Sequence, residues 1–273
     1  MRNIYLLTKY TLREAFSRKV FLAFAGISTF VILIFLLLFL SVDTEGFQST
    51  FNLPEGNTSF IMHKIVEILQ ITITIPLYAG GLFLSIFSAS GFIPHLLEKG
   101  NIDLFLSKPV KRFELILGKY FGGTLVVFIN IVYLIIAIWL MMGLKFEVWN
   151  FSFLLVIPSM TFSFMVLYSL VIFAGIISQS SMLAMMLAYL VHFVLSPVLF
   201  FREEVFEFIS NGLVKGIFNV LFYVVPRMQE LAVINTNLAK DSFIDDWNPV
   251  INSVVFICAA ISLSIIIFRK KDF

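Results

Sequence analysis

The sequence predicts an all-α integral membrane protein with six transmembrane helices, and three observations predict it. Sixty per cent of the 273 residues are hydrophobic and 13% are charged, whereas soluble domains are about 45–50% apolar with glycine counted and about 25% charged. Six apolar runs, at 20–40, 68–92, 120–142, 153–177, 182–201 and 250–268, reach the roughly 17–25 residues that a bilayer crossing requires. None of the six contains Asp, Glu, Lys or Arg, each of which would cost ~2.5–3.5 kcal/mol at a helix centre. The 33 phenylalanines exceed what one globular core of this size can hide, which excludes a soluble enzyme. They also exclude disorder, which needs few aromatics and much charge. The single Cys258 excludes a disulfide framework and any multi-cysteine metal cluster. A net charge of +2 gives no electrostatic footprint for nucleic acid.

Orientation follows from the basic residues. With the N-terminus inside, thirteen of the nineteen Lys and Arg residues fall on the inner side, Arg269, Lys270 and Lys271 among them, and six on the outer. The rule that loops rich in Lys and Arg stay cytoplasmic therefore puts both termini in the cytoplasm of a cell whose inner membrane the chain crosses six times. The first run is too long for a signal-peptide core and lacks a small-x-small cleavage site, so it is expected to remain in the protein. Leu213–Pro226 is apolar but has only 14 residues, which suits a re-entrant or interfacial segment better than a crossing. A seventh crossing there would put Arg269, Lys270 and Lys271 outside.

The pieces between the spans are too small for a separate soluble domain, so 1–273 reads as one transmembrane domain. Residues 2–19 predict an amphipathic helix lying in the inner interface. Ile4, Tyr5, Leu12, Ala15 and Phe16 share one third of its circumference and Arg13, Glu14, Ser17 and Arg18 the other side, while Leu6, Leu7 and Tyr10 interrupt the division. Such a basic helix binds an anionic leaflet and can lever the span it precedes. It also reads as a plain positive-inside anchor. The segment 41–67 is polar, and 202–248 forms the second large outer region.

The inner loop 93–118 carries the most information. Pro94 can open a continuation of the second span and Gly100 can end it. Asn101 is placed to cap a short helix with Asp103 in its first turn, where the dipole favours an anion, and Pro109 stops that helix. Ile102, Phe105 and Leu106 share one face, so a small apolar knob projects among Lys99, Lys108, Lys111 and Arg112. Apolar knobs rimmed by charge mark protein contacts, although the same face could fold back on the membrane. Within the spans, the rows Gly81, Ser85, Ala89 and Gly118, Gly122 let helices approach closely, and Pro76 predicts a kink.

Motifs for chemistry are wanting, and no catalytic, cofactor or metal site is expected. The one Gly-Lys pair, Gly118-Lys119, is followed by Tyr120 and has Phe113 where a phosphate-binding loop needs its first glycine. No HExxH or GxSxG run occurs. His192, near the middle of the fifth span with Tyr189 at i−3 and Ser196 at i+4, is a candidate for a substrate path, because intramembrane ionisable residues are functional candidates by default. It serves equally as a neutral hydrogen bonder between helices.

The run from Glu98 to Lys119 resembles the signature loop of ABC-2-type ABC transporter permeases. Glu98, Gly100, Ser107, Pro109, Arg112, Gly118 and Lys119 match it, with Asn101 where threonine is more usual and Asp103 where glutamate is. The basic stretch Tyr10–Val20, the six spans, the apolar segment before the last span and the terminal Arg269–Phe273 extend the likeness along the chain. The resemblance implies a permease subunit that pairs with a second permease copy, identical or not. It implies two copies of a separate cytoplasmic ATPase, which would hold ATP and Mg. Glu98, Gly100, Asn101, Ile102, Asp103, Phe105, Leu106, Pro109 and Arg112 would couple to that ATPase, and Leu12, Arg13, Phe16, Arg18 and Lys19 would lie on the family's gating helix. Leu213–Pro226 would be part of its outer re-entrant helices. The likeness is greatest to the branch labelled for multicopper-enzyme maturation, yet no copper-ligand cluster occurs, and it implies export. The uncharged spans favour a lipid-like cargo over a free ion. The competing readings are a membrane anchor or assembly factor without a substrate path, and an intramembrane enzyme using His192.

Overall fold

The computed structural model describes residues 2–17, 20–41, 58–98, 100, 110–208, 211–242, 244 and 246–271. Its helices are α1 (Arg2–Ser17), α2 (Val20–Ser41), α3 (Thr58–Ala89), α4 (Phe92–Leu96), α5 (Arg112–Phe146), α6 (Val156–Ser178, entered through a 3₁₀ turn at Phe151–Leu155), α7 (Ser181–Tyr189), α8 (Ser196–Phe200), α9 (Arg202–Phe208), α10 (Gly212–Val224), α11 (Met228–Ala239) and α12 (Asn248–Lys270). Among the described residues, six stretches are long and apolar enough to cross a membrane, and each overlaps one predicted span.

The helices run past the predicted boundaries. α3 begins at Thr58 rather than 68, and α5 at Arg112 rather than 120, because polarity marks where a helix leaves lipid and not where it ends. In the extension of α3, Lys64 pairs with Glu67 one turn on at 2.8 Å. In that of α5, the Glu114 carboxylate accepts the Lys111 backbone N–H at 3.0 Å, one half of a capping box. Pro94 does not open the continuation of the second span. α3 ends at Ala89, the chain turns at Ser90 and Gly91, and Pro94 sits inside α4.

The fifth span is interrupted by a π-helical turn at Leu190–Leu195. Its cause lies two residues on. Pro197 has no N–H to give and its ring crowds the carbonyl four residues back, so the turn widens and the Ser196 N–H reaches Val191 O, five residues away.

The core lies around α6, where Phe164, Val166, Leu167, Tyr168 and Ile172 are fully buried. α2 and α12 lie at the periphery and present Phe30, Leu33, Leu37, Val255, Leu263 and Ile266 outward, as lipid-facing helices do. The two chain ends meet on one helix. Asn3 donates to Glu114 at 3.1 Å, and Arg112 donates to Phe268 O, Arg269 O and Lys271 O at 2.9, 3.0 and 2.7 Å. Both termini therefore stand at the same end of α5, which we call the terminal face, and the number of crossings between them is even.

α10 and α11 are bent by 52° about the break at Val225–Arg227. α9 follows directly on the distal end of α8, and Ala239 at the end of α11 accepts from Asn150 in the distal turn after α5. The pair thus enters and leaves by the distal face, as a re-entrant segment does.

Candidate functional sites

On the terminal face α1 lies across the first turns of α5. A Cβ at Gly122 would stand 2.5 Å from Thr11 Cβ, and one at Gly118 would meet Leu7. The small-residue row thus receives α1, not another span. Asn3, Thr8 and Glu14 add polar contacts along the seam: Asn3 to Glu114, Thr8 Oγ1 to Gly118 O at 3.5 Å, and Lys119 Nζ to Glu14 Oε2 at 2.5 Å. The last pair is nearly out of solvent, with 4% of the lysine and 11% of the glutamate side chain exposed. The Tyr10 ring lies 5.7 Å from the ammonium, so the charge meets an aromatic face as well.

The face of α1 turned to the protein is therefore not the one a hydrophobic wheel selects. Thr11 and Ala15 are buried, whereas Tyr5, Leu6, Tyr10 and Phe16 are 45–67% exposed. Of the residues expected on a gating helix, Leu12 is half-buried, and Arg13 and Phe16 are exposed. Arg18 and Lys19 lie outside the described residues. Glu14, which the wheel puts on the polar side, is the partner of Lys119 in the buried pair.

The expected coupling residues divide in the same way. Asn101, Ile102, Asp103, Phe105, Leu106 and Pro109 lie outside the described residues. Glu98 is exposed and receives His95 Nδ1 at 2.7 Å. Gly100 has φ +90°, a backbone region that glycine enters without strain, but it does not end the helix as expected, because α4 closes at Leu96 with Leu97 as its cap. Arg112 is engaged with the chain's own C-terminus through three carbonyls, over the Phe268 ring at 5.9 Å. Lys271 Nζ in turn reaches Ile176 O at 2.6 Å. Val110 and Lys111 thus lead into the turn of α5 that holds both α1 and the end of α12.

Within the membrane-spanning part, the three residues of the expected substrate path do not form one surface. The π turn rotates them apart. Tyr189 stacks on Phe83 at 4.6 Å and donates to Phe83 O at 2.9 Å. His192 is buried against Phe193 at 4.5 Å and Tyr78 at 5.9 Å, and its Nδ1 has no hydrogen-bond partner. Ser196 accepts the Gln229 backbone N–H at 2.8 Å. Tyr78 itself donates to Met228 O at 3.1 Å and lies 3.0 Å from Ser163 Oγ. His192, through Tyr78, and Ser196 thus converge on the first turn of α11, and Tyr189 does not.

A separate cavity of about 120 Å³ lies between α2, α3 and α5. Its walls are apolar apart from Ser28, Ser85 and Asn130, and Ser28 Oγ donates to Asn130 Oδ1 at 2.5 Å. Sequence reasoning missed Asn130, Tyr78, Ser163 and the Asn3–Glu114 contact. A signal existed for the last in the Lys111-x-x-Glu114 spacing, which predicts a helix start. The others are lone polar residues in apolar runs, with nothing local to mark what they face. Among the described residues, no three His, Cys, Asp or Glu side chains are grouped as metal ligands.

These features define a multi-pass α-helical membrane protein, with both chain ends tied to one helix and a re-entrant pair on the opposite face. Residues 12–273 match the family described as ABC-2 family transporter protein, and the chain belongs to that family of membrane transporter permeases. No curated protein matches the chain in sequence.

Proposed function

We propose that the chain is the permease subunit of an ABC exporter, a single transmembrane domain that moves cargo while a separate cytoplasmic ATPase supplies the energy. Two permease copies and two ATPase copies would form the working unit, with ATP and Mg held by the ATPase. The terminal face is then the cytoplasmic one, in accord with its basic residues. The ATPase would dock on Asn101–Pro109 with Glu98, Gly100 and Arg112 at the margins of its footprint.

One observation supports this reading above the others. The first turns of α5, which follow Pro109 and Val110 in the chain, hold α1 through Asn3–Glu114 and Glu14–Lys119 and the end of α12 through Arg112. A force applied to that turn reaches α1 and two membrane-crossing helices, α5 and α12. An anchor without a substrate path has no need of that linkage. The assignment to the multicopper-maturation branch rests on the resemblance alone.

A lipid-like cargo is favoured by charge-free spans and by the apolar cavity beside Asn130. Co-purification of the ATPase with wild type and with Phe105→Asp tests the docking. The variant inserts normally and loses the ATPase. Undiminished capture would contradict the proposal.

A further inference from the structure

The cavity between α2, α3 and α5 has a closed body, an open side and one unmatched polar group. Its volume is about 120 Å³, of the same order as the ~150 Å³ apolar cavity that takes up benzene. Phe24, Leu77, Ile135 and Met160 wall the body and are 1–7% exposed. Pro76 and Gly80 also line it and are exposed, and a Cβ at Gly80 would meet nothing within 4 Å. The space therefore opens on the outer side of α3, where a membrane-spanning helix faces lipid.

The polar group is Asn130, 2% exposed and close to the midpoint of α5 (Arg112–Phe146). The two hydroxyls of the lining are turned elsewhere: Ser28 donates to Asn130 Oδ1, and Ser85 donates to Gly81 O at 2.6 Å. Asn130 Nδ2 is buried with no hydrogen-bond partner among the described residues. A donor left unmade is costly, and near the centre of a bilayer no bulk water stands by to satisfy it. Among the described residues no charged side chain lines the cavity, so an ionic ligand would find no counter-charge there. Apolar walls also leave a water molecule few of the two to four partners it needs.

We infer that this cavity binds a lipid-soluble molecule that is apolar apart from one hydrogen-bond-accepting oxygen, an aliphatic alcohol or ketone by class. The molecule enters from the bilayer past Gly80, lays a short chain against Leu77, Ile135 and Met160, and accepts from Asn130 Nδ2. The hydrogen bond selects the oxygen and the walls select the chain. The inference rests on the transport reading only for the ligand's role as cargo, because binding itself needs no ATPase.

The full chain in detergent is irradiated with a diazirine-bearing hexanol, and the label is located by mass spectrometry. Met160 is the reporting residue, since it lines the cavity and is 1% exposed, out of reach from the lipid-facing surface. Hexanol and methyl butyl ketone, which accepts but cannot donate, each suppress that label roughly tenfold more effectively than hexane at equal mole fraction in the micelle. Gly80→Phe fills the opening and removes the label. Asn130→Leu keeps the label and brings hexane level with hexanol. No label on Met160 in the wild-type chain overturns the assignment, as does hexane as effective as hexanol, or suppression by the alcohol and not by the ketone. Full labelling of Gly80→Phe, or undiminished preference for hexanol in Asn130→Leu, also overturns it. The wild-type series needs no variant to fold, and its failure would leave the ATPase-driven reading standing.

Discussion

Lys119 Nζ of α5 lies 2.5 Å from Glu14 Oε2 of α1, with both side chains almost wholly buried. It is a tertiary contact between an N-terminal helix and the third span, 105 residues apart in sequence, at the face where the ATPase would act. Removing one partner of a buried pair leaves an uncompensated charge, a loss of about 3–5 kcal/mol. Glu14→Gln and Lys119→Met should each release α1, seen as a lower unfolding temperature and faster proteolysis within residues 2–17. The double variant Glu14→Leu with Lys119→Met should recover much of the loss, because an apolar pair of similar volume is often neutral.

Gly122→Leu should dislodge α1 without affecting insertion. Even a Cβ there stands 2.5 Å from Thr11 Cβ, and the backbone of α5 cannot retreat from it. Overpacking of this kind typically costs about 1–3 kcal/mol. Limited proteolysis within residues 2–17 reports the result: slow in the wild-type chain and faster in the glycine variant.

Arg112 serves two assignments that a measurement can divide. Its guanidinium closes on Phe268 O, Arg269 O and Lys271 O, a structural role that needs no partner protein. Arg112→Gln should therefore raise amide exchange in the last turns of α12 even without the ATPase. Arg112→Lys should restore little, since an ammonium lacks the planar fork. Exchange that changes only when the ATPase is present would assign the residue to coupling alone.

His192 is expected to be a packing residue. Its Nδ1 is buried without a partner, and such a group costs about 1–3 kcal/mol. His192→Phe should leave stability unchanged or raise it by about 1 kcal/mol, with transport retained. Tyr78→Phe should destabilise by about 0.5–1.5 kcal/mol, because it removes the hydrogen bond to Met228 O at the turn of the re-entrant pair. Thermal unfolding and flux of the two variants side by side check this.

The membrane topology was legible because a bilayer demands long charge-free runs, and the shared location of both termini agrees with the even number of crossings read from the sequence. The extensions of α3 and α5 were not, since a helix outside lipid is held by local pairs such as Lys64–Glu67 and leaves no hydrophobic mark. Gly118 and Gly122 announced a close approach but not its partner. α1 shows why: its buried side includes Asn3, Thr11 and Glu14, whose fit to α5 is one of shape and charge, invisible to a wheel that scores hydrophobicity. The alignment of Tyr189, His192 and Ser196 assumed an unbroken α-helix, and Pro197 was the signal that the turn before it would widen.

The central claim is that this chain conducts and a separate subunit supplies the energy, through the segment between Gly100 and Val110. The most direct measurement is ATP-driven flux in proteoliposomes holding the chain with its ATPase, compared with the chain alone and with Phe105→Asp. The account predicts flux only in the complete wild-type pair, and no ATP hydrolysis by the chain alone. ATP hydrolysis by the purified chain, or undiminished flux with Phe105→Asp, would contradict it.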